Sequence, residues 1–122
     1  MGWCAHRHAP APGTILCPES SVDDGTCREL RFGDGDDVLS LFLHRRGAQI
    51  RAYVNSCPHF SLPLNARSGN FLLLADSRLM CAWHCAVFEL DHGLCLEGPA
   101  KGMSLEPVDV QVSDGFVRVA AP

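Results

Sequence analysis

From Thr26 to the end of the chain, short apolar runs alternate with small groups of turn-forming residues, and this rhythm restricts the fold more than any other feature. Val38–His44 and Ala48–Val54 flank Arg45-Arg46-Gly47, and Phe71–Ala75 and Arg78–Cys81 flank Asp76-Ser77. Val87–Leu90 and Leu94–Glu97 flank Asp91-His92-Gly93, and Val108–Val112 and Phe116–Ala120 flank Ser113-Asp114-Gly115. Each pair reads as a hairpin: two runs too short for a helix, joined by residues that favour turns. Alternation is clearest in the last pair, which predicts Val108, Val110 and Val112 on one face and Asp109 and Gln111 on the other. No helical stripe exceeds a turn or two, and Pro18–Asp24 is read as at most a short one. There are no internal repeats and no linker that would split the chain. A small antiparallel all-β domain follows.

At 122 residues, 47% of them hydrophobic, the chain can bury one core. The expected organisation is a flexible N-terminal arm over residues 1–13, rich in Pro and Ala, and a single domain over residues 14–122. A net charge of −4 argues against binding a nucleic-acid backbone, which requires a basic surface. No apolar run approaches the roughly 18 residues of a membrane helix. The stretch beginning Met1-Gly2-Trp3 lacks the apolar core of a secretory signal, and His6 stands where myristoylation requires Ser or Thr. These readings predict a cytoplasmic protein. Its seven cysteines, an odd number, read as thiols plus a metal site better than as a disulfide framework.

Two reactive stretches fall at strand ends. Asn55–Leu64 contains Cys57-Pro58-His59, and Met80–Phe88 contains Cys81-Ala82-Trp83-His84. The pattern is Cys-x-His, 21 intervening residues, then Cys-x-x-His. A two-strand excursion of this length carries the chain out and back, which leaves the two loops side by side. Two cysteines and two histidines suit zinc, which takes four such donors. Zinc fingers, however, pair cysteine with cysteine and histidine with histidine. Interleaved types, one of each per loop, suit a binuclear centre in which thiolates hold one iron and imidazoles the other. Spacing therefore favours iron–sulfur, and ligand type alone leaves zinc open.

The surrounding residues carry a resemblance. Tyr53–Leu64, Cys81–Ala100 and Leu105–Val119 resemble the Rieske ferredoxin family, as does the chain from about Thr14 to Ala120. Cys57, His59, Cys81 and His84 match all four ligand positions of the family, and Pro58, Pro63, Leu64, Phe88, Gly93, Gly98 and Pro99 also fit. The resemblance implies a small antiparallel β-sandwich with a Rieske cluster-binding subdomain of two loops. A third loop, Gly98–Gly102, would shelter it. On the same basis one Rieske-type [2Fe–2S] cluster is expected, Cys57 and Cys81 binding the inner iron and His59 and His84 the outer. With neutral histidines the oxidised site is formally uncharged, so it accepts an electron more readily than an all-thiolate site.

Departures from the family pattern are informative. Cys85 stands where the family has Gly, and is read as a small residue tolerated in a tight loop. The high-potential branch braces its loops with a disulfide at positions occupied here by Leu62 and Trp83. The same branch has Ser and Tyr hydroxyls, donating to a sulfide and a ligand sulfur, where this chain has Ala86 and Phe88. The resemblance is therefore to the soluble, low-potential branch. Trp83, Phe60 and Leu62 are expected beside the cluster as a shield from water. Cys17, Cys27 and Cys95 are read as core residues, His44 and His92 as solvated turn residues, and Cys4, His6 and His8 as bystanders on the arm.

The function these features imply is electron carriage without catalysis: one electron taken from an upstream reductase, flavin-containing by resemblance, and passed to a downstream oxygenase or other terminal redox enzyme. The small subunit of an assimilatory nitrite reductase is a second context. The rival from another class is a zinc-stabilised binding module.

Overall fold

A computed structural model of the chain describes residues 3–35, 37–58, 63–65, 71–81 and 86–120. Eleven strands are present among the described residues: β1 (Ile15–Pro18), β2 (Cys27–Asp34), β3 (Asp37–Arg46), β4 (Gln49–Val54), β5 (Leu72–Leu74), β6 (Arg78–Met80), β7 (Val87–Glu89), β8 (Cys95–Glu97), β9 (Pro107–Val108), β10 (Val110–Ser113) and β11 (Phe116–Val119). They form three antiparallel sheets ordered β1-β11-β10, β2-β3-β4-β9 and β5-β6-β7-β8. Pro18–Asp24 contains a single 3-10 turn at Glu19–Ser21.

The second sheet is the middle layer, because its two faces enter different cores. Leu39, Leu41 and Leu43 of β3, Ala52 of β4 and Val108 of β9 meet Cys17 and Val117 of the first sheet, forming the sandwich core. Phe42 and Tyr53 point the other way, into a second core with Leu79, Phe88, Leu90, Cys95 and Leu105. A strand buried on both faces cannot alternate in polarity. This is why Leu41-Phe42-Leu43 reads as an unbroken apolar run and is buried throughout.

Three expectations are corrected. The β3–β4 turn is Gly47-Ala48, since Arg46 pairs with Gln49. The strand therefore extends past His44, which is 2% exposed rather than solvated. Val108, Val110 and Val112 do not share one face of one strand, because the run is split between β9 and β10. The chain leaves the second sheet at Asp109 and joins the first, where β10 is an edge strand and Val112 is 40% exposed. The structure also adds a hairpin, β2–β3, with Asp34 opposite Asp37.

Residues 3–13 lie along the sandwich. Trp3 packs against the sandwich core and its backbone N–H donates to Glu106. His6, Arg7 and His8 gather around the Asp37 carboxylate.

Candidate metal centre

Cys57 follows β4 and Cys81 follows β6. The β5–β6 hairpin, with Leu72 opposite Met80, carries the chain out and back between them. Both thiols are 1% exposed and belong to one apolar cluster with Leu64, Ala86, Leu90 and Ala100. His59 and His84, the other two expected ligands, lie outside the described residues, as do Phe60, Leu62, Trp83 and Cys85.

Each loop is closed at its base. In the first, the Asn55 Oδ1 accepts a hydrogen bond from the Leu64 N–H at 3.0 Å, so a side chain ties the loop's entry to its exit. In the second, the Cys81 N–H donates to the Ala86 carbonyl at 2.7 Å, which seats Cys81 where the chain returns to β7. The third loop lies flush against this point. A Cβ on Gly98, at φ +97°, would meet the Ala86 Cα at 2.8 Å. Ala100 of the same loop is fully buried in the cysteine-bearing cluster.

Below the first loop lies a polar network that sequence reasoning missed. Asn55 donates through Nδ2 to the Asn65 Oδ1 at 2.9 Å, and Asn65 donates to the Glu29 Oε1 at 3.0 Å. The Glu29 Oε2 accepts from the Ser40 hydroxyl at 2.6 Å and the Arg31 Nε at 3.2 Å. Burial pushes the Glu29 carboxyl up, but the bonds from Ser40 and Asn65 and the Arg31 guanidinium outweigh it, leaving the pKa below its ordinary value. The available signal was the placing of two asparagines, Asn55 and Asn65, at the two ends of the loop. Further along the same face, the Tyr53 hydroxyl donates to the Leu90 carbonyl at 2.8 Å. Burial first of all pushes its pKa up to about 12, which keeps the donor protonated.

The bystander cysteines occupy cores. Cys17 and Cys95 are buried, and Cys27 packs against the second core. Cys27 has a partner that spacing did not reveal, the His44 Nδ1 at 3.7 Å. Burial pushes the Cys27 thiol up to about 12, which favours its protonated form. Cys95 donates to the Glu97 carbonyl at 3.2 Å. No cysteine among the described residues is in a disulfide. His92 is exposed at the β7–β8 turn, as read, and contacts Glu89.

A family model of the Rieske [2Fe-2S] domain matches residues 13–112. The chain belongs to the Rieske [2Fe–2S] domain family. Among solved structures, the ferredoxin of carbazole 1,9a-dioxygenase from Nocardioides aromaticivorans IC177 superposes with a TM-score of 0.70 at 18% identity, over 92% of this chain and all of that one. The Sphingomonas yanoikuyae B1 ferredoxin gives 0.66 at 20%, over 90% and 99%. A chain from a complex of reduced oxygenase and oxidised ferredoxin in carbazole 1,9a-dioxygenase gives 0.69 at 25%, over 88% and 91%. Apoptosis-inducing factor 3 of Mus musculus is 26% identical over 98% of this chain, and its Homo sapiens counterpart 26% over 87%. The chain spans only 20% and 16% of the lengths of these two proteins.

Membership settles the choice that spacing left open, in favour of iron–sulfur over zinc. The described half of the donor set fits a Rieske cluster: two thiols brought from separate loops into one water-poor cluster, neither of them in a disulfide. The protein is a Rieske [2Fe–2S] domain of antiparallel β architecture. No helix among the described residues is long and apolar enough to cross a membrane.

Proposed function

We propose that this Rieske domain is the ferredoxin component of an oxygenase system, with Cys57 and Cys81 as ligands of the inner iron and His59 and His84 of the outer. The observation that carries the ligand reading is the burial of Cys57 and Cys81 in one apolar cluster at the ends of two loops. The oxygenase partner is supported by the neighbour found in an oxygenase–ferredoxin complex, over most of both chains. When bound, the cluster supplies a one-electron couple. The chain's own contribution is to hold two thiolates in a low-dielectric pocket, closed by Asn55 on one side and Gly98 on the other, away from water.

A flavin-containing reductase is the proposed upstream partner, residues 14–122 the functional unit with residues 1–13 as its arm, and the cytoplasm its location. The odd count of seven cysteines, which suits a metal site better than a disulfide framework, supports a reducing compartment.

Anaerobically purified protein should contain two irons and two sulfides per chain and give a Rieske EPR signal on reduction, with average g below that of all-cysteine clusters. Replacing Cys57, His59, Cys81 or His84 by Ala should abolish that signal, and Cys85→Ser should preserve it. Loss of the cluster in Cys85→Ser with retention in Cys81→Ser would overturn the ligand assignment. Electron delivery from a flavoprotein reductase to an oxygenase, followed by stopped-flow absorbance, tests the partners.

A further inference from the structure

The hydrogen bonds beneath the first ligand loop run in one direction. Leu64 donates its N–H to the Asn55 Oδ1, so the Asn55 amide must turn its Nδ2 toward Asn65. Asn65 accepts that bond with Oδ1 and must turn its own Nδ2 toward Glu29. An amide presents a donor on one side and an acceptor on the other, so fixing either end fixes the sense of the whole relay. The upper end is a backbone N–H, which only donates. The lower end is a carboxylate, which when ionised only accepts. The Ser40 hydroxyl and the Arg31 guanidinium also donate to it, and the Asn55 Nδ2 lies 3.5 Å from its Oε2. Asn55 and Asn65 are 4% and 5% exposed, so water cannot readily replace a lost partner.

Resting on the proposed ligand assignment, we propose that Glu29 is a positioning residue for the metal centre: through Asn65 and Asn55 it orients the clasp that closes the loop bearing Cys57 and His59. Glu29 belongs to β2, in the middle sheet and outside all three loops of the site. The relay is thus a rigid connection from sandwich to ligand loop. A glutamine at this position has the same shape but one acceptor oxygen, and it would present an N–H either to Asn65 or to Ser40 and Arg31. Two donors would then face each other, the glutamine against the Asn65 Nδ2 or against the Arg31 guanidinium, which cannot accept, and the amide orientations above would no longer be unique.

The test uses the intact holoprotein and three variants. Glu29→Gln should speed loss of the cluster to a chelator by about tenfold, the lower end of what removal of an outer-shell partner costs. It should also broaden the EPR lines of the reduced protein, because the loop samples more than one geometry. Asn65→Asp alone sets two carboxylates against each other and should be at least as damaging. In the Glu29→Gln/Asn65→Asp double variant, the introduced amide can donate to the introduced carboxylate, which still accepts from Asn55, so the relay is complete again. Linewidth and loss rate should return toward wild type. If Glu29→Gln does not fold, Asn55→Asp serves instead. It keeps the acceptor for Leu64 and removes the donor to Asn65, and the same broadening is expected. Wild-type linewidth and loss rate in Glu29→Gln, or a double variant no better than the worse single one, would overturn the proposal. Absence of a Rieske signal in the wild type would instead overturn the ligand assignment beneath it.

Discussion

His44 shows how far one side chain can be read from its surroundings. Its Nδ1–H donates to the Thr26 carbonyl at 3.0 Å, which leaves the Nε2 lone pair buried without a hydrogen-bond partner among the described residues. Burial lowers its pKa below the usual value; the Thr26 carbonyl and Asp91 partly oppose this, while Arg46 adds to it. The folded protein then binds a proton less readily than the unfolded chain, so stability is full above the unfolded value, about 6.5, and falls as pH drops from there through the native value. The oxidised protein should unfold at lower denaturant at pH 5.5 than at pH 7.5, and His44→Gln should flatten that difference. An equal pH response in both proteins would show that His44 does not contribute it. Gly98 supplies a second test at this scale. Gly98→Ala combines an unfavourable φ with a backbone collision at Ala86, and should cost about 1–3 kcal/mol in chemical denaturation. Gly47→Ala, also at positive φ but with open space around its Cβ, isolates the conformational part and should cost about 1 kcal/mol.

Strand β7 continues from the second loop into the second core. Ala86 precedes the strand and Phe88 is at its centre, opposite Leu79 of β6, both fully enclosed. Neither side chain can donate a hydrogen bond, whereas donors to the sulfurs stabilise the added charge of a reduced cluster. Ala86→Ser combined with Phe88→Tyr should raise the midpoint potential, measured by voltammetry, if the hydroxyls reach the sulfurs. An unchanged potential with a stability loss of about 1–3 kcal/mol would mean the hydroxyls only overpack the core. This element is legible in the sequence because a short apolar run directly follows the Cys-x-x-His motif. The hairpins of β5–β6, β7–β8 and β10–β11 are legible through their turns: residues such as Asp114-Gly115 both adopt positive φ and mark the reversal. The middle sheet is harder. Buried on both faces, β3 carries no alternation to show where it stops, so the sequence suggests a turn that comes too early and a solvated His44. The relay from Glu29 is invisible for another reason: hydrogen bonds between residues 10 and 36 positions apart leave no local pattern.

At the scale of the whole molecule, the three sheets divide the work. The first sheet and the inner face of the second form a sandwich whose core contains neither Cys57 nor Cys81, and the outer face of the second presents Phe42, Tyr53, Asn55 and Glu29 as a platform for the cluster-binding part. Cysteine burial is concentrated on that side, where Cys57, Cys81 and Cys95 share one core. The platform ties the loop bases with neutral amides, a tyrosine and one carboxylate balanced by Arg31. The chain as a whole carries a net charge of −4. A negative molecule resists taking up an electron, and neither the sulfur-facing hydroxyls nor the cysteines of a loop-bracing disulfide are present in the sequence to oppose that. The midpoint potential should therefore lie near the bottom of the Rieske range, which extends from about −150 to +300 mV. A value there suits acceptance of electrons from a reduced flavin and does not suit oxidation of a quinol. Voltammetry of the wild-type protein at neutral pH decides the matter. A midpoint above roughly +100 mV, in the upper half of that range, would defeat the low-potential reading and with it the proposed place between a reductase and an oxygenase.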